Sequence, residues 1–220
     1  MSSSPTYIDL FAGAGGLSEG FIRAGYKPIA HVEYDKAACY TLKTRIAYHY
    51  LKENGKIGTY IEYLKGNINR NELYSQIPAV MLASVINRTI GIDNEAIFKE
   101  IDSLVGNKNV DLIIGGPPCQ AYSLVGRARD KNGMQNDKRN FLYIEYVKFL
   151  KRYNPKIFVF ENVPGMISAS KGLYYKKMFK LFEKAGYITK HFQLEANNFG
   201  VLQNRKRILI IGYQKSCNIV

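Results

Sequence analysis

The sequence predicts an α/β fold: a mostly parallel sheet with helices on both faces. Three observations carry that expectation. Short apolar runs alternate with stretches of helical periodicity through most of the 220 residues. Several runs stop abruptly in glycine, proline or a single acidic residue. The residues that look chemical, Gly13, Glu33, Cys119 and Glu161, all fall where a run stops. In a parallel α/β sheet that place is the carboxyl edge, where ligands bind.

Thr6 to Ala12 is the first strand, and Gly13-Ala14-Gly15-Gly16 follows it. Ser18 then opens a helix, with Glu19 in its first turn, Phe21, Ile22 and Ala24 as its apolar face, and Gly25 as its stop. Strand, glycine turn and helix together present backbone N–H groups at the strand's carboxyl end. The spacing is not Gly-x-Gly-x-x-Gly, which disfavours a pyrophosphate cradle; a carboxylate or a nucleoside uses the same donors. Lys27 to Val32 is the second strand. Glu33 ends it, about twenty residues beyond the glycine turn, where a carboxylate accepts from two ribose hydroxyls. Asp35 to Leu51 follows as a helix with Ala37, Ala38, Leu42 and Ile46 at helical spacing. Gly66-Asn67-Ile68 has the look of a third strand end. Asn71 to Leu82 and Asn94 to Val105 have helical periodicity, so residues 69–109 are expected to be a helical insertion.

Val110 to Gly115 is a buried strand that runs into Gly116-Pro117-Pro118-Cys119-Gln120. The prolines fix φ and restrict the residue before them, so a side chain is delivered to one point. The glycines permit close approach to the backbone. Cys119 is therefore a candidate nucleophile. The segment 120–138 has glycines, alternating charge and no periodicity, the pattern of a mobile, basic, exposed loop. A helix follows, roughly Arg139 to Arg152. Lys156 to Phe160 is a strand ending in Glu161-Asn162-Val163-Pro164-Gly165. Tyr174 to Ala185 is an amphipathic helix stopped by Gly186, Tyr187 to Glu195 a strand, and Ala196 to Leu202 a loop. Gln203-Asn204-Arg205-Lys206-Arg207 leads into the last strand, Ile208 to Gly212.

Lys+Arg 31 against Asp+Glu 18 gives a net charge of +13, which points to a polyanionic partner, nucleic acid first. The 3 cysteines are scattered and odd in number, which fits reduced thiols in a cytoplasmic protein. No cysteine pair has metal-ligand spacing and there are only 3 histidines, so no metal site is expected. No apolar run reaches the ~20 residues of a membrane span, and the amino terminus has no signal-peptide pattern. A single domain over residues 1–220 is the expectation.

Asp9-Leu10-Phe11-Ala12-Gly13-Ala14-Gly15-Gly16, Gly115-Gly116-Pro117-Pro118-Cys119-Gln120, Glu161-Asn162-Val163 and Gln203-Asn204-Arg205-Lys206-Arg207 resemble motifs I, IV, VI and VIII of the cytosine-C5 DNA methyltransferases, in the family's order. The resemblance implies a Rossmann-like methyltransferase core with S-adenosylmethionine as cofactor. It implies that Cys119 attacks C6 of a cytosine, that Glu161 acts at N3 and the exocyclic amine, and that Arg207, with Arg205, binds O2 or a phosphate. For the cofactor it implies Phe11, Gly13, Gly15, Gly16 and Leu17 at the methionine end and Glu33 on the ribose. Tyr34 is expected beside the adenine, Asn67 and Ile68 at the third strand end, and Pro118 and Leu142 on the methyl side. The loop carrying Gln120, Ser123, Arg127 and Arg129 is expected to close over double-stranded DNA with a flipped cytosine.

The family continues past motif VIII into a target-recognition region and motifs IX and X. Three explanations are open for an enzyme of restriction-modification type: a split enzyme whose second subunit carries these segments, a truncated or frameshifted chain, and an inactive remnant. The alternative readings are a non-catalytic nucleic-acid- or cofactor-binding fragment and an RNA cytosine-C5 methyltransferase.

Overall fold

The computed structural model describes residues 4–118, 141–168 and 172–217. Its strands are β1 (Thr6–Leu10), β2 (Lys27–Glu33), β3 (Val85–Asn87), β4 (Leu112–Gly115), β5 (Ile157–Asn162), β6 (Tyr187–Glu195) and β7 (Lys206–Gln214). They form one sheet in the order β3-β2-β1-β4-β5-β7-β6. The pairs from β3 to β5 are parallel, whereas β7 runs antiparallel to both β5 and β6. The expected mostly parallel α/β sheet is therefore present. Because β7 is reversed, its amino end lies beside the carboxyl ends of the parallel strands.

The helices are α1 (Gly16–Arg23), α2 (Lys36–Glu53), α3 (Ile57–Leu64), α4 (Arg70–Ser75), α5 (Ala79–Ala83), α6 (Asn94–Val105), α7 (Leu142–Tyr153), α8 (Gly165–Ser168) and α9 (Leu173–Lys184). Asp35 caps α2 by accepting from the Ala38 N–H at 2.7 Å. One sheet face sends Ile8, Leu10, Ile113, Phe158, Phe160 and Ile210 into a core shared with α6, α7 and α9. The other face packs Tyr7, Leu112, Ile114 and Val159 against Leu17, Phe21 and Ile22 of α1. The outer end of that face, at Val85, packs under Leu42, Ile46 and Leu51 of α2.

Three expectations are corrected. The third strand is Val85–Asn87, inside the stretch expected to be helical, and Gly66-Asn67-Ile68 is a link between α3 and α4. Gly66, at φ +78, ends a helix rather than a strand. The helix expected over Asn71 to Leu82 is two short ones, because Pro78 cannot donate within a helix and instead caps α5. Ser18 does not start α1; the helix begins at Gly16, and Ser18 is a buried residue within it, 2% exposed.

Candidate active site

The site begins where β1 leaves the sheet. Phe11 takes φ +57, a left-handed conformation rarely held by a bulky residue, and Gly13 follows at φ +54. This bend turns the Gly13 N–H toward β2, where it donates to Glu33 Oε2 at 2.8 Å. The Asp35 N–H donates to Glu33 Oε1, also at 2.8 Å. The buried Glu33 carboxylate is thereby oriented, and each oxygen keeps a second lone pair for a ligand. Gly15, at φ +82, serves packing: a Cβ there would lie 2.8 Å from Leu42 Cδ2 and 3.2 Å from Arg45 Cδ.

The other half is built by β4, β5 and β7. A Cβ on Gly115 would meet the Leu10 carbonyl oxygen at 2.5 Å and Tyr146 at 3.0 Å. One on Gly116 would meet Glu161 Oε2 at 2.6 Å. The close approach these glycines permit is thus first of all that of the chain to itself: Gly116 leaves room for the Glu161 carboxylate. Glu161 Oε1 lies 2.6 Å from Arg207 Nε and 3.8 Å from Arg205 Nη2. The register explains the pairing. Glu161 faces Leu209 across the antiparallel ladder, and Arg207 and Arg205 precede Leu209 in steps of two, so all three project from one face. Asn162, 2% exposed, donates through Nδ2 to the Pro117 carbonyl at 3.3 Å and accepts the Val163 N–H at 2.9 Å. It ties the end of β5 to the proline pair.

Two cavities meet at Phe11 and Gly116. The larger, about 680 Å³, is walled by Glu33, Tyr34, Pro118 and Leu142 together with the stretch Arg88 to Ile92. The smaller, about 530 Å³, holds Gly16, Leu17, Glu161, Arg205 and Arg207 above Asp9. The structure thus gathers Phe11, Gly16, Leu17, Glu33, Tyr34, Pro118, Leu142, Glu161, Arg205 and Arg207 at one edge. It does not bring Asn67 and Ile68 there. Asn67 is exposed and donates to Glu62, and Ile68 packs under α2. The strand end that does reach the edge is Asn87, which donates to the Glu33 and Tyr34 carbonyls at 3.0 and 2.8 Å. Its following residues, Arg88 to Ile92, went unread because a three-residue strand shows too little alternation. Cys119, Gln120, Ser123, Arg127 and Arg129 lie outside the described residues.

Beneath the glycine turn is a buried polar cluster. Tyr7 OH and Ser18 Oγ are hydrogen-bonded, and Ser18 Oγ meets His31 Nε2 at 3.0 Å. Burial pulls His31 down to about 4, so the ring is neutral near pH 7. Asp9 lies beside His31 in the β1–β2 register and is 1% exposed, with Oδ2 unpartnered. Burial, then the Glu33 charge, pushes its carboxyl well above the usual range.

The cavity chemistry suits a nucleoside-bearing cofactor: a fixed buried carboxylate for vicinal hydroxyls, an open aromatic face at Tyr34 and an apolar wall at Ile90, Ile92 and Leu142. Strand order and site together define a Rossmann-like methyltransferase domain. The model of the C-5 cytosine-specific DNA methylases matches residues 6–62 and 83–220, and the chain belongs to that family. It is 39% identical to the type II methyltransferase M.Bpa9945I of Bacillus paralicheniformis, over 96% of this chain and 54% of that one. It is 33% identical to the type II methyltransferase M1.HphI of Haemophilus parahaemolyticus, over 95% of this chain and 46% of that one. The chain spans about half the length of the curated relatives it matches. Among solved structures, it superposes with a TM-score of 0.69 and 27% identity on a protein described as a DNA modification methyltransferase encoded within an Escherichia coli prophage. That match covers 99% of this chain and 49% of the other. The Entamoeba histolytica methyltransferase EhMeth shares the fold at TM-score 0.59 and 19% identity, over 100% of this chain and 56% of its own. Among the described residues, no helix is long and apolar enough to cross a membrane.

Proposed function

We propose that the chain carries the catalytic region of a DNA (cytosine-5) methyltransferase of restriction-modification type, working through a covalent Cys119–C6 adduct. The observation that carries this reading is the Glu161–Arg207 pair, 2.6 Å apart, in a cavity that shares Phe11 and Gly116 with the cofactor-shaped one. S-adenosylmethionine would be held with its ribose on Glu33 and its adenine beside Tyr34, and would supply an electrophilic methyl group. C5 of cytosine is too weak a nucleophile to use it unaided. Cys119 Sγ, as thiolate, adds to C6 and pushes electron density to C5. Glu161 bonds N3 and the exocyclic amine, stabilising the adduct, and Arg207 holds Glu161 while reaching O2. After methylation, loss of the C5 proton expels Cys119 and restores the ring. A base within a duplex cannot reach the thiol, so the target cytosine is flipped out, and the loop 120–138 closes over it.

Relatives about twice as long support assigning target-sequence reading to residues beyond these 220, on a second subunit or a longer chain. A duplex containing 5-fluorocytosine, which has no C5 proton to lose, tests the reading. With cofactor and that recognition segment present, the chain is expected to become covalently trapped, and Cys119→Ser to remain free. Absence of a Cys119-dependent adduct, with folding and cofactor binding verified, overturns the reading.

A further inference from the structure

The family match passes over residues 63–82, yet this stretch is well built. Leu73 of α4 is fully buried under α2. Tyr74 OH donates to the Tyr40 carbonyl at 2.9 Å and bonds Thr44 Oγ1 at 3.1 Å. Asn69 and Glu72 form a reciprocal capping box at the start of α4. The stretch is therefore fixed against α2, and it completes a groove of about 630 Å³ between α1, α2, α3 and α4. The groove is separate from both cavities at the sheet edge.

Its chemistry is specific. Three arginines and one glutamate line it, with four tyrosines between them. Arg23 and Arg45 are both committed to Glu19, at 2.9 and 3.2 Å. Arg70 is not committed: its guanidinium stacks over the Tyr40 ring at 4.0 Å and makes no ion pair among the described residues. Beyond it, Tyr60 stands 5.2 Å from Tyr48 and 6.3 Å from Tyr63, all three partly exposed. An unpaired planar cation beside a row of partly open rings matches a phosphate and an unstacked base. A duplex offers the phosphate but keeps its bases stacked.

We propose that this groove is an accessory nucleotide-binding site, with Arg70 on the phosphate and Tyr60 and Tyr63 on the base. The ligand is a nucleotide unit, either free or in a single strand of nucleic acid. Equilibrium binding tests this without methyl transfer, so its outcome is independent of the reading of the sheet edge. The probes are a labelled short oligothymidylate, an abasic strand of equal length and thymidine monophosphate as competitor.

The oligothymidylate is expected to bind about tenfold more tightly than the abasic strand. Arg70→Ala is expected to weaken it about fivefold or more and to lower the salt slope by about one, with Arg70→Lys between. Arg70 is exposed, so these variants keep the fold. Lys177→Ala, an equal charge loss at an exposed position of α9, sets the baseline. Displacement by the mononucleotide at matched concentration assigns the site to free nucleotides, and its failure assigns it to strands. Equal binding of the abasic strand, or an Arg70→Ala effect no larger than that of Lys177→Ala, overturns the proposal.

Discussion

The two faces of the sheet use the same strands and differ in nearly every physical respect. One face is an aromatic core. Phe158 lies 4.6 Å from Phe182 and 5.1 Å from Tyr187, and Tyr146 lies 5.2 Å from Phe160, ring centroid to ring centroid. Two of its buried phenols find backbone acceptors: Tyr146 on the Ile113 and Val159 carbonyls at 3.0 and 3.2 Å, and Tyr187 on the Pro155 carbonyl at 2.8 Å. The other face carries Asp9 and Glu161 on β1 and β5, beside half-buried Ile157, Leu209 and Ile211. The alternation of side chains along a strand lets neighbouring residues serve opposite ends: Phe160 packs the core while Glu161 faces a cavity. Stability and chemistry are thereby separated by one residue of register. Separate substitutions on the two faces should therefore fail in different ways.

The largest effect is expected on the aromatic face. Phe158→Ala removes a fully buried ring that also fills the space beside Gly212, where a Cβ would come within 2.0 Å of it. The loss is expected to be about 3–5 kcal/mol in chemical denaturation. A loss under about 1 kcal/mol would mean that this face is not the main source of stability.

On the charged face the expectation reverses. Glu161→Gln keeps the shape and an acceptor for Arg207 but removes the charge and the capacity to exchange a proton. Trapping on the 5-fluorocytosine duplex is expected to slow by about 10²–10³-fold, with the denaturation midpoint close to that of the parent chain. A large fall in stability with unchanged trapping would place Glu161 among the structural residues and erase the distinction between the faces.

Much of this separation was legible in the sequence. Buried strands closed by Gly13, Glu33, Pro117 and Glu161 announce themselves, because few patterns other than a sheet edge combine an apolar run with such a stop. The double arginine step into β7 was readable as a motif, but its reason, the diagonal to Glu161, needed the antiparallel register. Asn67 misled because a glycine after an apolar run ends helices as readily as strands, and only the fold shows that Gly66 closes α3. Ser18 misled because a serine after a glycine run reads as a helix start, whereas it lies inside α1 and its partners, Tyr7 and His31, come from two strands. Asn162 had no local signal for its bond to Pro117, a contact across 45 residues. Contacts between distant segments are the part a local pattern cannot carry.

The finest test of the comparison is the pair Asp9 and His31, neighbours in register on the charged face. Burial holds His31 at about 4 instead of 6.5, so between those values the unfolded chain takes up a proton that the native ring refuses. Stability from this residue therefore falls as the pH drops through that window. Asp9 has the opposite sign. Burial first, and Glu33 second, raise its carboxyl well above 3.8, so the native chain keeps a proton that the unfolded chain releases. Its contribution is fullest below 3.8 and is lost as the pH rises toward its folded value. In the window the two slopes oppose each other, so Asp9 offsets part of the His31 slope in the parent chain. Asp9→Asn leaves His31 alone, so the variant should lose stability on acidification through this window, relative to the parent. Urea denaturation of both chains at several values between pH 4 and 6.5 measures this directly. A difference that stays constant across that range would mean that Asp9 titrates as an ordinary carboxyl, in contact with water through the cavity it shares with Glu161. The charged face would then be wet down to the strand, and its contrast with the aromatic face would be one of solvent access as well as of residue type.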